Sequence, residues 1–143
     1  MRKDIKNKLL QKKESAAVYV DLILKHTDLS YEQFEDYFTE YLCDKFVLEK
    51  NEINTDDFYK ICAYSVEKIA GLPTLQRDAA LTASRCGGAT TAMNKKVLFL
   101  LSVNREYSIQ ITPEESMKID TFTQLKKLVY EKVILNRSAE YSV

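Results

Sequence analysis

Apolar positions in this chain recur at three- and four-residue spacing from end to end, the period of helices buried on one side. The longest apolar stretch, Val97-Leu98-Phe99-Leu100-Leu101, sits inside Gly87–Tyr107, and Met93, Val97, Leu100, Leu101 and Tyr107 repeat along it at helical intervals. This pattern predicts a central helix from Thr91 or Met93 to Glu106. Being apolar nearly all round, it should be covered by neighbours on several sides. Upstream, Ile5, Leu9, Leu10, Ala17, Val20 and Leu24 form a drifting amphipathic face over 4–26, with Ser15 as a cap for a second segment. Phe34, Phe38, Leu42 and Phe46 stand at strict four-residue spacing beside Tyr37 and Tyr41. An aromatic stripe of this kind belongs in a core.

Punctuation agrees with the period. Ser30–Gln33 has the spacing of a capping box, in which the side chains of the first and fourth residues satisfy each other's backbone N–H groups. Thr55 reads as the cap of a helix whose buried face is Phe58, Ile61, Cys62, Val66 and Ile69, and Gly71 with Pro73 ends it. Leu72–Gly88 reads as a long connection and 108–111 as a short extended one. Thr112-Pro113-Glu114-Glu115 starts a short helix, and Thr121–Gln124 is a second capping box. Leu125, Leu128, Val129 and Val133 give the last helix its buried face, and 136–143 reads as a frayed tail.

Composition supports this all-α reading. The 143 residues are 45% hydrophobic and 29% charged, with only 3 Gly and 2 Pro. That suits one helical domain, or a small one with an extension. Net charge is zero, which argues against a general nucleic-acid or membrane-surface binder. The charge is uneven: residues 1–13 carry Arg2, Lys3, Lys6, Lys8, Lys12 and Lys13 against Asp4, while 28–57 carry ten acids against Lys45 and Lys50. A basic helix lying on an acidic one explains this, as does a docking surface for a partner. Cys43, Cys62 and Cys86 lack metal-site spacing, and His26 is the sole histidine, so neither a metal site nor a disulfide framework is expected. No apolar run reaches membrane-spanning length and no signal-peptide core follows the basic start, so a cytoplasmic protein is expected. No nucleotide, zinc-protease or serine-hydrolase motif is present. A Cys-His nucleophile at Cys86 lacks a nearby base.

The order from Thr55 to Leu135 resembles that of an acyl carrier protein. The resemblance rests on Glu106-Tyr107-Ser108-Ile109-Gln110-Ile111, Pro113-Glu114-Glu115 and Ile119-Asp120-Thr121. Among carrier relatives, the chain looks most like the acyl-carrier-related proteins of clostridial, bacteriocin-type peptide maturation systems, which carry an extra N-terminal region. The resemblance implies an acyl-carrier-like four-helix bundle over 53–135, a two-helix extension over 1–52 and a tail over 136–143.

Carriers of that family hold 4'-phosphopantetheine on the serine of a Gly-x-Asp-Ser-Leu motif at the start of the central helix, where free N–H groups favour phosphate. Counting back from Tyr107 puts Met93 at the serine position, whereas counting forward from Gly88 puts Thr91 there and Thr90 at the aspartate. Neither yields Asp-Ser-Leu. The resemblance therefore implies a degenerate attachment region at Thr90, Thr91 and Met93, no enzyme activity, and no cofactor. The neighbouring Cys86, Gly88, Lys95 and Lys96 are expected to form a surface for a peptide-modifying enzyme or another protein of the pathway. Lys95, Lys96 and Arg105 also replace the acids that carriers present there. Two alternatives stand beside this reading. One is a true acyl or aminoacyl carrier modified at Thr91 or a nearby hydroxyl. The other is a helical regulatory protein unrelated to carriers, whose aromatic stripe closes a homo-oligomer.

Overall fold

The computed structural model describes residues 15–72 and 91–141, with side chains through Arg137. The described residues form α1 (15–25), α2 (Tyr31–Phe46), a 3-10 turn (Lys50–Glu52), α3 (Phe58–Ala70), α4 (Ala92–Tyr107), α5 (Pro113–Met117) and α6 (Phe122–Tyr141). Strand structure among them is limited to one isolated bridge, Asp57 with Thr121. The all-α class therefore holds. The connection Leu72–Gly88 lies outside the described residues beyond Leu72.

Local signals set most helix ends. Ser30 and Gln33 exchange reciprocal hydrogen bonds at the start of α2, as do Thr112 and Glu115 at α5 and Thr121 and Gln124 at α6. The α3 cap is an exception. Asp57, not Thr55, accepts the Lys60 N–H, while the Thr55 hydroxyl accepts from Asp57 N. A carboxylate adjoining the first turn outcompetes the hydroxyl because it also meets the positive end of the helix dipole. Asp56 is drawn away to accept the Thr123 N–H.

The core is organised by α2. Phe34, Phe38, Tyr41, Leu42 and Phe46 are fully buried, and Phe38 lies within ring-contact distance of Phe34, Tyr41, Phe99, Tyr107 and Phe122. Phe46 meets Phe99 edge-on at 4.9 Å, and Phe58 closes against both. Each buried ring contributes about 1.5–3 kcal/mol by removal from water. Buried residues between Ala16 and Leu48, at Phe58, Ile61 and Cys62, and between Ala92 and Val133 share this one cluster. The aromatic stripe is thus buried within the single chain.

On α1 the buried face is Ala16, Val20 and Ile23, whereas Ala17 and Leu24 face outward, one position from the expected register. The end of the chain also departs from expectation. Residues 136–141 continue α6 instead of forming a tail. Arg137 donates to the backbone carbonyls of Ile23 and His26, which the end of α1 leaves without helical partners, and Asn136 donates to Ser108 O at 2.7 Å. These bonds tie the last turns down where composition alone suggested fraying.

Candidate partner-binding face

Three helix starts converge at one end of the bundle. α3 and α6 begin side by side, joined where Phe58 N donates to Asp120 O at 3.0 Å and Phe122 N donates to Asp56 O at 2.8 Å. α4 begins nearby at Thr91, whose hydroxyl accepts the Asn94 N–H at 3.1 Å. The Lys96 ammonium donates to Ile119 O at 2.8 Å and pins α4 to the segment after α5. Between these elements lies a cleft of about 690 Å³, with Tyr59, Met93, Val97 and Met117 as its apolar lining and Asp57 and Asp120 as its acids.

Its apolar lining faces solvent. Met93 is 54% exposed, Val97 45%, Tyr59 57% and Met117 81%. The expectation that α4 is covered by neighbours on several sides is therefore corrected for one face, where Met93, Val97 and Leu101 stay exposed. Its buried stripe is Ala92, Lys95, Phe99, Leu100, Ser102, Val103 and Tyr107, and Met93, Val97 and Leu101 form an outer stripe. The misreading has a clear cause. Both stripes are apolar at helical spacing, and Lys95 in the buried one looked like a surface marker.

Lys95 is only 1% exposed, with its ammonium 5.1 Å from the centre of the Phe46 ring. It belongs to the core, its stem packed on aromatic surface, and it drops out of the expected partner surface. Met93 and Lys96 remain beside the cleft, and Thr91 sits exposed at its helix end. Cys86, Gly88 and Thr90 lie outside the described residues. The structure adds Tyr59, Val97, Met117, Asp57 and Asp120. Only Met117 carried a sequence signal, as a large apolar residue closing a short polar helix.

Elsewhere on α4, Glu106 accepts from Tyr41 OH and pairs with the Lys45 ammonium at 3.0 Å. Beside it the Tyr107 hydroxyl is buried with no hydrogen-bond partner. Burial, reinforced by the neighbouring Glu106 carboxylate, raises its pKa well above the usual phenol value. Glu115 moves the other way, its carboxyl lowered chiefly by the backbone N–H of Thr112 and then by Lys132. Cys43 and Cys62 are buried. Among the described residues no cluster of His, Cys, Asp and Glu is placed to hold a metal ion, and no helix is long and apolar enough to cross a membrane.

Comparison with known proteins adds no relative: no family model, curated protein or solved structure matches the chain.

Proposed function

We propose that this chain is a non-catalytic, acyl-carrier-related binding protein that works without a phosphopantetheine arm. In this reading it serves a cytoplasmic peptide maturation pathway as the partner of a peptide-modifying enzyme. One observation carries the loss of the arm. The Thr91 hydroxyl, at one of the two positions aligned with the carrier serine, is committed to capping α4 through Asn94 N. Thr91 is also a secondary and more crowded alcohol than the serine that carriers modify, and no Asp-Ser-Leu surrounds it. The other aligned position, Met93, has no hydroxyl.

The partner would use the cleft next to this point, with its exposed Tyr59, Met93 and Met117. Clustered exposed apolar side chains rimmed by polar groups are typical of protein contact sites. Met side chains adapt readily to a partner's shape.

The rival reading, a working carrier, draws on the exposure of Thr91 at a helix N-terminus. Intact mass after incubation with coenzyme A and a promiscuous phosphopantetheinyl transferase separates the two. An unchanged mass, with a standard carrier modified in the same tube, is expected. A gain of one phosphopantetheine arm that Thr91→Ala abolishes would make the protein a working carrier and overturn the proposal.

A further inference from the structure

The chain holds three methionines, Met1, Met93 and Met117, of which Met1 lies outside the described residues. Met93 on α4 and Met117 at the end of α5 line the same cleft. Methionine is ordinarily among the residues a fold hides. Here Met93 is 54% exposed and Met117 81%, whereas Cys43 and Cys62 are buried. Among the described residues, accessible sulfur is therefore confined to this cleft. We propose that Met93 and Met117 are a paired oxidation site, at which peroxide converts the apolar lining of the cleft into a polar one.

The chemistry asks little of the protein. One oxygen atom passes from hydrogen peroxide to the thioether sulfur, the O–O bond breaks as the S–O bond forms, and water leaves. The sulfur gives up two electrons and becomes a sulfoxide. A dithiol reverses the step through a methionine sulfoxide reductase, yielding the thioether, water and a disulfide.

The consequence is confined to the surface. The inner stripe of α4 includes Ala92, Lys95 and Phe99, so a sulfoxide at Met93 stays out of the core. α5 has no buried residue, so a sulfoxide at Met117 leaves packing alone as well. What changes is the cleft. Each sulfoxide oxygen adds an acceptor to a lining that already carries Asp57 and Asp120. An apolar surface laid over that oxygen would strip its water without replacing the hydrogen bond. The reduced cleft accepts an apolar partner and the oxidised cleft refuses it. That last step rests on the cleft being the partner's site, whereas the oxidation and the change of polarity stand without it.

Treating the full chain with hydrogen peroxide tests the proposal, read by peptide mass and by retention on a phenyl column under native conditions. Met93 and Met117 should each gain one oxygen, Met117 first because it is more exposed, and the folded chain should elute earlier. Reductases for both sulfoxide epimers, with a dithiol, should restore the retention. The double variant Met93→Leu/Met117→Leu keeps apolar side chains that take up no oxygen, and its retention should not respond to peroxide. The urea midpoint should be the same before and after oxidation.

Oxidation that waits for urea to unfold the chain would overturn the proposal. So would an equal loss of retention in the double variant, or a urea midpoint that falls on oxidation. None of these readouts involves a partner. A cleft that oxidises as described yet binds nothing would count against the docking reading alone.

Discussion

Tyr41 on α2 donates its phenolic hydrogen to Glu106 on α4, and Lys45, one turn along α2, pairs with the other carboxylate oxygen. The Lys45 side chain is 4% exposed and Glu106 20%, so the group is largely withdrawn from water. Breaking such a pair leaves a buried charge uncompensated. Glu106→Ala should therefore destabilise the fold by about 3–5 kcal/mol. Adding Lys45→Met should recover much of the loss, because the stranded charge goes with it. Urea unfolding of the two single variants and the double variant measures the coupling. Additive losses would show that the pair contributes little beyond packing.

The Tyr107 hydroxyl, buried without a partner, gives a prediction of the opposite sign. Removing an unsatisfied buried polar group is neutral or favourable, so Tyr107→Phe should stabilise by up to about 1 kcal/mol. Its raised pKa also has a pH consequence. A group whose folded pKa lies above its unfolded value stabilises fully below the unfolded value, about 10 for tyrosine, and loses that contribution as pH rises further. Tyr107→Phe should accordingly shift the alkaline unfolding midpoint upward. An unchanged midpoint would place the alkaline transition on other groups.

Glu115 governs part of the acid limb. Its pKa is lowered, so its contribution is present above the unfolded carboxyl value and disappears as pH falls through the lower folded one. The carboxylate is about one-third exposed (34%), and solvent screening holds the effect below about 1 kcal/mol. Glu115→Gln keeps an acceptor for Thr112 N but loses the charge facing Lys132. Thermal melts from neutral pH into the acid range should show a shallower decline for this variant than for the wild type.

Arg137 is predicted to hold α1 in place through the carbonyls of Ile23 and His26. Arg137→Ala should cost about 2 kcal/mol, the scale of charge-assisted hydrogen bonds. Hydrogen exchange should accelerate first in 15–25 and leave α4 protected. Uniform acceleration across all helices would mean that α1 does not open separately.

The helices and their starts were legible because they follow short-range rules. Ser30–Gln33, Thr112–Glu115 and Thr121–Gln124 cap as spacing dictates, and the four-residue aromatic stripe of α2 is buried as its size requires. What the sequence left hidden were choices made by distant partners. α4 has two apolar stripes, and which is buried depends on where Phe46 and Phe99 meet. Lys95 is core because it follows Ala92 by three residues on the inner face. Arg137 looked like part of a polar tail until α1 supplied carbonyls for it. The candidate face stayed hidden for the same reason, since Tyr59, Val97 and Met117 are far apart in sequence and their exposure follows from packing elsewhere.

The aromatic comb of α2 limits how this chain can change. Phe34, Phe38, Leu42 and Phe46 reach the core from successive turns, so inserting or deleting one residue within α2 would turn every later tooth by about 100°. Phe46 would then swing off Phe99 and Phe58, while Glu106 would lose Lys45. Tolerated length changes are thus confined to the ends of α2 and to the segments between helices. Within the helix, descendants of this sequence can exchange one ring for another but cannot alter the count.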